Sequence, residues 1–301
     1  MANLPASKST ATSGQAVWWR SRAGRERLTH VVLHIVLLAL GVTFLLPLLW
    51  LLSTSLKQSG SELSYPPQWI PNPVEWGNYK TALVDLQPTL LYLRNTIIIA
   101  GGVTVGDLLA ASLAAYGYAR LRFPGRNVLF MGTLATLMLP GMVTLVPTFI
   151  LMRYLHWIDT YLPLIVPSWF GGNAFSIFLL RQFFLTIPFE LDEAARIDGA
   201  SPLRIWWNVI LPLSGPALVT VAIFDVLNSW NDFLGPLIYI NSPQNFTLAL
   251  GLGQFQLAHQ QTLWNYMMAA SAAMIVPVIV LFFFAQRYFM RGIVTTGLAG
   301  R

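Results

Sequence analysis

Asp107 and Asp225 are carboxylates set inside long apolar runs. An acid at the centre of a membrane helix costs about 3 kcal/mol on the insertion scale, so each must find a partner or water. For Asp107 the residues favour a structural hydrogen bond between helices over a place on a solute path. For Asp225 the two readings stand level, because Asn228, Trp230, Asn231 and Asp232 follow it toward one mouth of its run. Aromatic faces beside amides and carboxylates match a sugar ring, apolar on its face and hydroxylated at its rim. Other chemistry lacks its parts. The three lysines, Lys8, Lys57 and Lys80, none of them after a glycine, supply no phosphate-cradling GxxxxGK[ST] loop. There is no GxSG-like serine turn, and Thr104 stands where a GxGD acid pair needs its first glycine. His30 and His34 have metal-ligand spacing, but no third ligand is evident and they read as interfacial side chains at the start of a span. Without cysteine there is no disulfide, thiolate nucleophile or thiolate metal site.

One polar stretch, about 187–207, has the shape of a contact. Pro188 suits a first helical position. Glu190, Asp192 and Glu193 complement the positive end of a helix, with Arg196 near its other end. Gly199 can take the left-handed cap, so a short helix is predicted over 188–198. Ser201 and Pro202 then read as N-cap and first residue of the next helix. Ala194 and Ala195 leave the backbone near Gly199 open to close approach by a bulky partner. The bland alternative is a surface helix that merely joins two spans.

The elements that must carry these residues follow from composition. Of 301 residues 55% are hydrophobic and only 10% charged, against about 25% charged in an ordinary soluble domain. The formal charge of +6 therefore reflects basic loops of a polytopic membrane protein rather than nucleic-acid binding. Six runs are long enough to cross a bilayer as helices, at about 31–52, 95–119, 128–152, 161–180, 209–231 and 267–289. The expected organisation is a tail over 1–30, a six-helix domain over 31–289 and a second tail over 290–301. Basic residues gather in the first tail, at Arg120, Arg122 and Arg126, in the 181–204 loop and in the last tail, which puts both termini in the cytoplasm. On the other side lie a proline- and tryptophan-rich segment at 53–94, a short turn at Asp159 and a polar, glutamine-rich segment at 232–265. Prolines 140, 147, 163, 167, 212, 216 and 277 lie within spans, where each removes a backbone hydrogen bond and kinked helices can line a cavity.

Glu193-Ala194-Ala195, then Gly199, then Leu211-Pro212 resembles the EAA loop of membrane subunits of binding-protein-dependent ABC importers. Val209 departs mildly from the isoleucine usual two residues before that Leu-Pro. Residues 67–73 with Asn78 and Tyr79, 229–233, 246–251, 285–289 and 296–300 look like the carbohydrate-importing, maltose-type branch. The resemblance implies an all-α, type I importer fold and a heterodimer with a second membrane subunit. Two ATPase subunits would lie beneath and an extracytoplasmic sugar-binding protein above, in a bacterial or archaeal inner membrane. The chain would hold no cofactor and catalyse nothing, with ATP and Mg on the ATPases. Glu193, Ala194, Ala195, Asp198 and Gly199 would form the coupling helix. Gln254, Phe255, Gln256, His259 and Gln260 would lie in a loop reaching into the open binding protein. Thr296, Gly297 and Gly300 would lie in a tail between the ATPases. Close relatives import glycerol phosphate instead of sugar. A secondary transporter with Asp107 or Asp225 carrying a proton is the rival, but it leaves the EAA pattern unexplained and shows no inverted repeat.

Overall fold

The computed structural model describes residues 22–62, 64–258 and 263–298, with side chains over 26–62, 64–254 and 263–286. Every regular element among the described residues is helical. They run as α1 (Arg22–Ser55), α2 (Gly77–Lys80) with a π turn over Thr81–Asp85, α3 (Thr89–Arg120), α4 (Arg126–Ala135) with a 3-10 turn over Thr136–Met138, and α5 (Gly141–Tyr154). Next come α6 (Leu162–Gly171), α7 (Ala174–Thr186), α8 (Glu190–Ile197), α9 (Pro202–Ile205), a π turn over Trp206–Ile210, α10 (Leu211–Leu213) and α11 (Gly215–Asn231). The last are α12 (Leu234–Tyr239), α13 (Leu248–Ala258) and α14 (Trp264–Leu298).

Four stretches are long and apolar enough to cross a membrane as they stand, and two bent pairs raise the number to six. The bends are 98° between α4 and α5 and 83° between the α9–α10 segment and α11. The first falls at Pro140, which is extended and starts α5, and the second at Ser214, between Pro212 and Pro216. Pro47, Pro147, Pro167 and Pro277 instead sit inside helices that run on past them. Among the described residues, those of α1 up to Ser53 form a unit of their own. It is the bulk of α1, with Val31, Leu38 and Phe44 exposed around its circumference, the signature of a helix that meets lipid or another span. Within it the ring Nδ1 of His34 donates to the carbonyl of His30 at 2.6 Å, so that nitrogen serves its own helix.

In the second unit α3 is the central post. Lipid is as apolar as leucine, so packing between spans depends on close backbone approach by small residues rather than on burial. Ala111, Ala115 and Ala119 recur every fourth residue on α3 and meet Ile177, Leu180 and Phe184 of α7, with Trp206, Ile210 and Val221 completing the cluster. On α3, Gly102 and Gly106 admit α6. A Cβ on Gly106 would stand 2.3 Å from the Trp169 ring, whose Nε1 donates to the Gly102 carbonyl at 3.0 Å.

α14 extends to Leu298, nine residues past the expected end of the last span, so Thr296 and Gly297 lie on its final turn. Gly300 and residues 1–21 of the first tail lie outside the described residues.

Candidate functional site

α8 is built as the sequence predicts, starting two residues later. Ile187, held extended ahead of Pro188, ends α7, and three acids open the helix with Arg196 near its close. It stops in a Schellman turn. The Gly199 N–H donates to the Arg196 carbonyl at 3.0 Å and the Ala200 N–H to the Ala195 carbonyl at 2.9 Å. Gly199 itself lies at φ +79°, left-handed. Ser201 then caps α9, its hydroxyl accepting from the Arg204 N–H at 3.4 Å, with Pro202 at the first position.

Glu193, Ala194, Asp198 and Gly199 are exposed, whereas Ala195 turns inward against the core. Ile197, 87% exposed, and Leu203 stand beside them as apolar surface that pattern reading passed over. Asp192, one of the three acids of the first turn, is fully buried and lies 3.8 Å from the Arg120 guanidinium at the end of α3. That distance makes an ion pair without a hydrogen bond. Burial pushes the Asp192 carboxyl up from its ordinary value, against the opposing pull of Arg120 and then Arg196.

Arg120 is 2% exposed and does more than pair. Its Nη2 donates to the carbonyls of Phe184 and Ile187, both at 2.6 Å, and its guanidinium lies 5.1 Å from the centre of the Phe189 ring. One side chain thus ties carbonyls at the end of α7 to the start of α8. An open cavity of about 490 Å³ lies beside it, lined by Arg120, Arg122, Phe123, Phe189, Glu193 and Arg196.

Within the spans, Asp107 and Asp225 are both buried and face each other between α3 and α11. Asp107 accepts from the backbone N–H of Asn173 at the break between α6 and α7. Of the residues expected at the mouth, Asn228 and Asn231 are exposed, and Asn231 donates to its own helix at Leu227. Trp230, on the same last turn of α11, is buried and packs with Tyr92 and Leu248, so its face is taken by protein.

At the end of α3 remote from α8, the 232–265 segment is mostly folded back rather than free. Asn95 of α3 donates to the carbonyls of Gln244 and Phe246, Thr96 accepts from the Leu248 N–H at 2.9 Å, and Gln87 donates to the Gly251 carbonyl. Gly251 leaves room for the Tyr92 ring, which would stand 2.4 Å from a Cβ there. Gln254, Phe255 and Gln256 therefore sit on a helix, α13, and His259 and Gln260 lie outside the described residues. Asp159 rivets the turn between α5 and α6 to residues 239–245. It accepts from the N–H groups of Asn241 and Ser242 and from the Ser242 hydroxyl, while its own N–H donates to the Tyr239 carbonyl at 2.7 Å.

The chain belongs to the family described as binding-protein-dependent transport system inner membrane component, matched over residues 107–295. It is 35% identical to the arabinooligosaccharides transport system permease protein AraQ of Halalkalibacterium halodurans, across 82% of this chain and 86% of that one. It is 33% identical to the sn-glycerol-3-phosphate transport system permease protein UgpE of Pectobacterium atrosepticum, across 91% and 98%. Among solved structures, a bacterial ABC transporter involved in import of the acidic polysaccharide alginate superposes with a TM-score of 0.76 at 26% identity, covering 89% of this chain and 98% of that one.

Proposed function

We propose that the chain forms half of the translocation pathway of an ATP-driven importer whose solute is a sugar or oligosaccharide. The observation that carries this reading is α8: a short helix closed by a left-handed glycine, presenting Glu193, Ala194 and Ile197 outward and anchored inward at Asp192. A chain without a phosphate loop must receive free energy through a contact, and α8 has the form of one. In this reading two ATPase subunits, holding ATP and Mg, seat α8, and a second membrane subunit completes the pathway. An extracytoplasmic binding protein delivers solute, and both termini face the cytoplasm with the basic loops. ATP-driven closure then biases a two-state membrane element between inward-open and outward-open forms.

The test is purification of the whole assembly and uptake in proteoliposomes loaded with ATP and supplied with the binding protein. An ATPase should copurify, and labelled oligosaccharide should accumulate only with hydrolysable nucleotide. A second reading rests on the 33% identity to the glycerol-3-phosphate permease over nearly its whole length. If glycerol 3-phosphate accumulates and oligosaccharides do not, that reading replaces the sugar. Accumulation driven by a proton gradient without ATP would remove both.

A further inference from the structure

α3 runs 32 residues, Thr89–Arg120, with no proline inside it, which at about 1.5 Å per residue spans roughly 48 Å. The α4–α5 and α9–α11 segments are sharply bent, and α6 and α7 are separated at Gly172. One end of this unbroken post holds α8 through Arg120. The other holds the segment leading into α13 through Asn95 and Thr96. The covalent chain alone would carry a displacement of α8 only to α7 and α9. The buried Arg120 side chain adds a third route.

We propose that α3 is the rod joining the ATPase-facing helix α8 to the α13 end of the molecule, and that Arg120 and Asp192 are the positioning residues that lock α8 onto it. The proposal rests on the reading of α8 as the ATPase contact and goes beyond it by naming which span moves with α8. Three features make Arg120 a joint rather than a surface charge. Its guanidinium is buried, it clamps two carbonyls of the α7 end at 2.6 Å, and it faces a carboxylate that is itself fully buried. A planar fork can satisfy several acceptors at fixed angles, which a lysine ammonium cannot. An Arg120 left without Asp192 would be an unpaired charge in the interior, so the pair stays closed in both states of the transporter. Coupling through such a joint is reciprocal, so events at the α13 end should also reach the ATPases.

The experiment uses the complete transporter in proteoliposomes. Asp192→Asn keeps the shape and removes the charge; Arg120→Lys keeps the charge and removes the fork. Both should still assemble with the ATPase, and both should lose solute accumulated per ATP hydrolysed relative to the parent. A loss of folding alone would lower both quantities together and leave their ratio at the parent value. A parental ratio in both variants overturns the proposal. A second measurement leaves the joint intact. The chain has no cysteine, so spin labels can be placed at Glu190→Cys on α8 and Leu113→Cys on α3, both exposed. Their separation should stay constant between nucleotide-free and ATP-bound transporter, and a shift of several ångströms overturns the rod even if the two variants fail to assemble. Absence of ATP-driven uptake by the parent assembly instead overturns the importer reading, and the rod with it.

Discussion

Asp107 on α3 accepts a hydrogen bond from the backbone N–H of Asn173, the residue at which α6 gives way to α7. The break leaves that N–H without an intrahelical partner, and inside a bilayer no water supplies one. Asn173 in turn caps α7, its side chain accepting from the Phe175 N–H at 2.9 Å. The intramembrane acid therefore does structural work that an amide oxygen can also do. Asp107→Leu should cost about 1–3 kcal/mol, the penalty for an unsatisfied buried donor, and thermal unfolding in detergent would measure it. Asp107→Asn should unfold close to the parent and still support ATP-driven uptake, alone or with Asp225→Asn. Loss of uptake in these neutral variants at parental stability would instead point to a carboxylate that carries protons.

One residue earlier, Gly172 lies at φ +63°, ψ 165°, a region essentially reserved for glycine. A Cβ there would also stand 3.0 Å from the Ala111 backbone nitrogen. Gly172→Ala should lower stability by about 1–3 kcal/mol, read as a shifted unfolding midpoint. Ala111→Gly should not rescue it, because the nearest atoms are Ala111 backbone. Full rescue would mean that the contact, not the dihedral, sets the cost.

Gly199 presents the other case. Its φ of +79° is strained for a side chain, yet nothing lies within 4 Å of a Cβ placed there. Within this chain the whole cost of substitution is conformational. Gly199→Asn should remain near parental stability, since asparagine visits the left-handed region. Gly199→Val should lose about 1–2 kcal/mol and most uptake. If Gly199→Asn abolishes uptake while melting like the parent, the turn must be packed against another subunit, and the defect will appear as lost ATPase copurification.

What the sequence made legible was local. Four of the six apolar runs appear as unbroken helices and two as sharply bent pairs, while the α8 helix, its left-handed Gly199 and the Ser201 cap follow from neighbouring residues to within two positions. Proline marked where spans can break but not which do. Pro140 sits at a 98° bend, whereas Pro47 and Pro277 are absorbed within continuous helices. Arg120 read as one of three basic residues in a turn, because its partners Phe184, Ile187 and Asp192 lie 64 or more residues away and no local rule joins them. The burial of Trp230 was hidden for the same reason, its neighbour Tyr92 being on another span. Gly102 and Gly106 did carry a signal, small residues four apart on one helix face, that marks close approach of another span.

The rivet at Asp159 lies outside the spans. Hydrogen bonds from the Ser242 hydroxyl and N–H, reinforced by the Asn241 N–H, hold its carboxyl at about 2, down from an ordinary 3.8. The folded value lies below the unfolded one, so ionised Asp159 contributes stability that is fully present above about pH 4. That contribution fades as pH falls through about 2. Between pH 5 and 8 the rivet should therefore be insensitive to pH. Asp159→Asn removes the charge at every pH, so parent and variant should differ most at neutral pH and converge near pH 2. The opening of the 239–245 segment, followed by amide exchange at Asn241 and Ser242, is the measurement that isolates this site. Faster exchange in the variant at pH 7, shrinking toward parental rates below pH 3, is the expected result. Equal exchange at pH 7 would show that the Asp159 backbone bonds to Tyr239 and Asn245 hold the turn without the carboxylate.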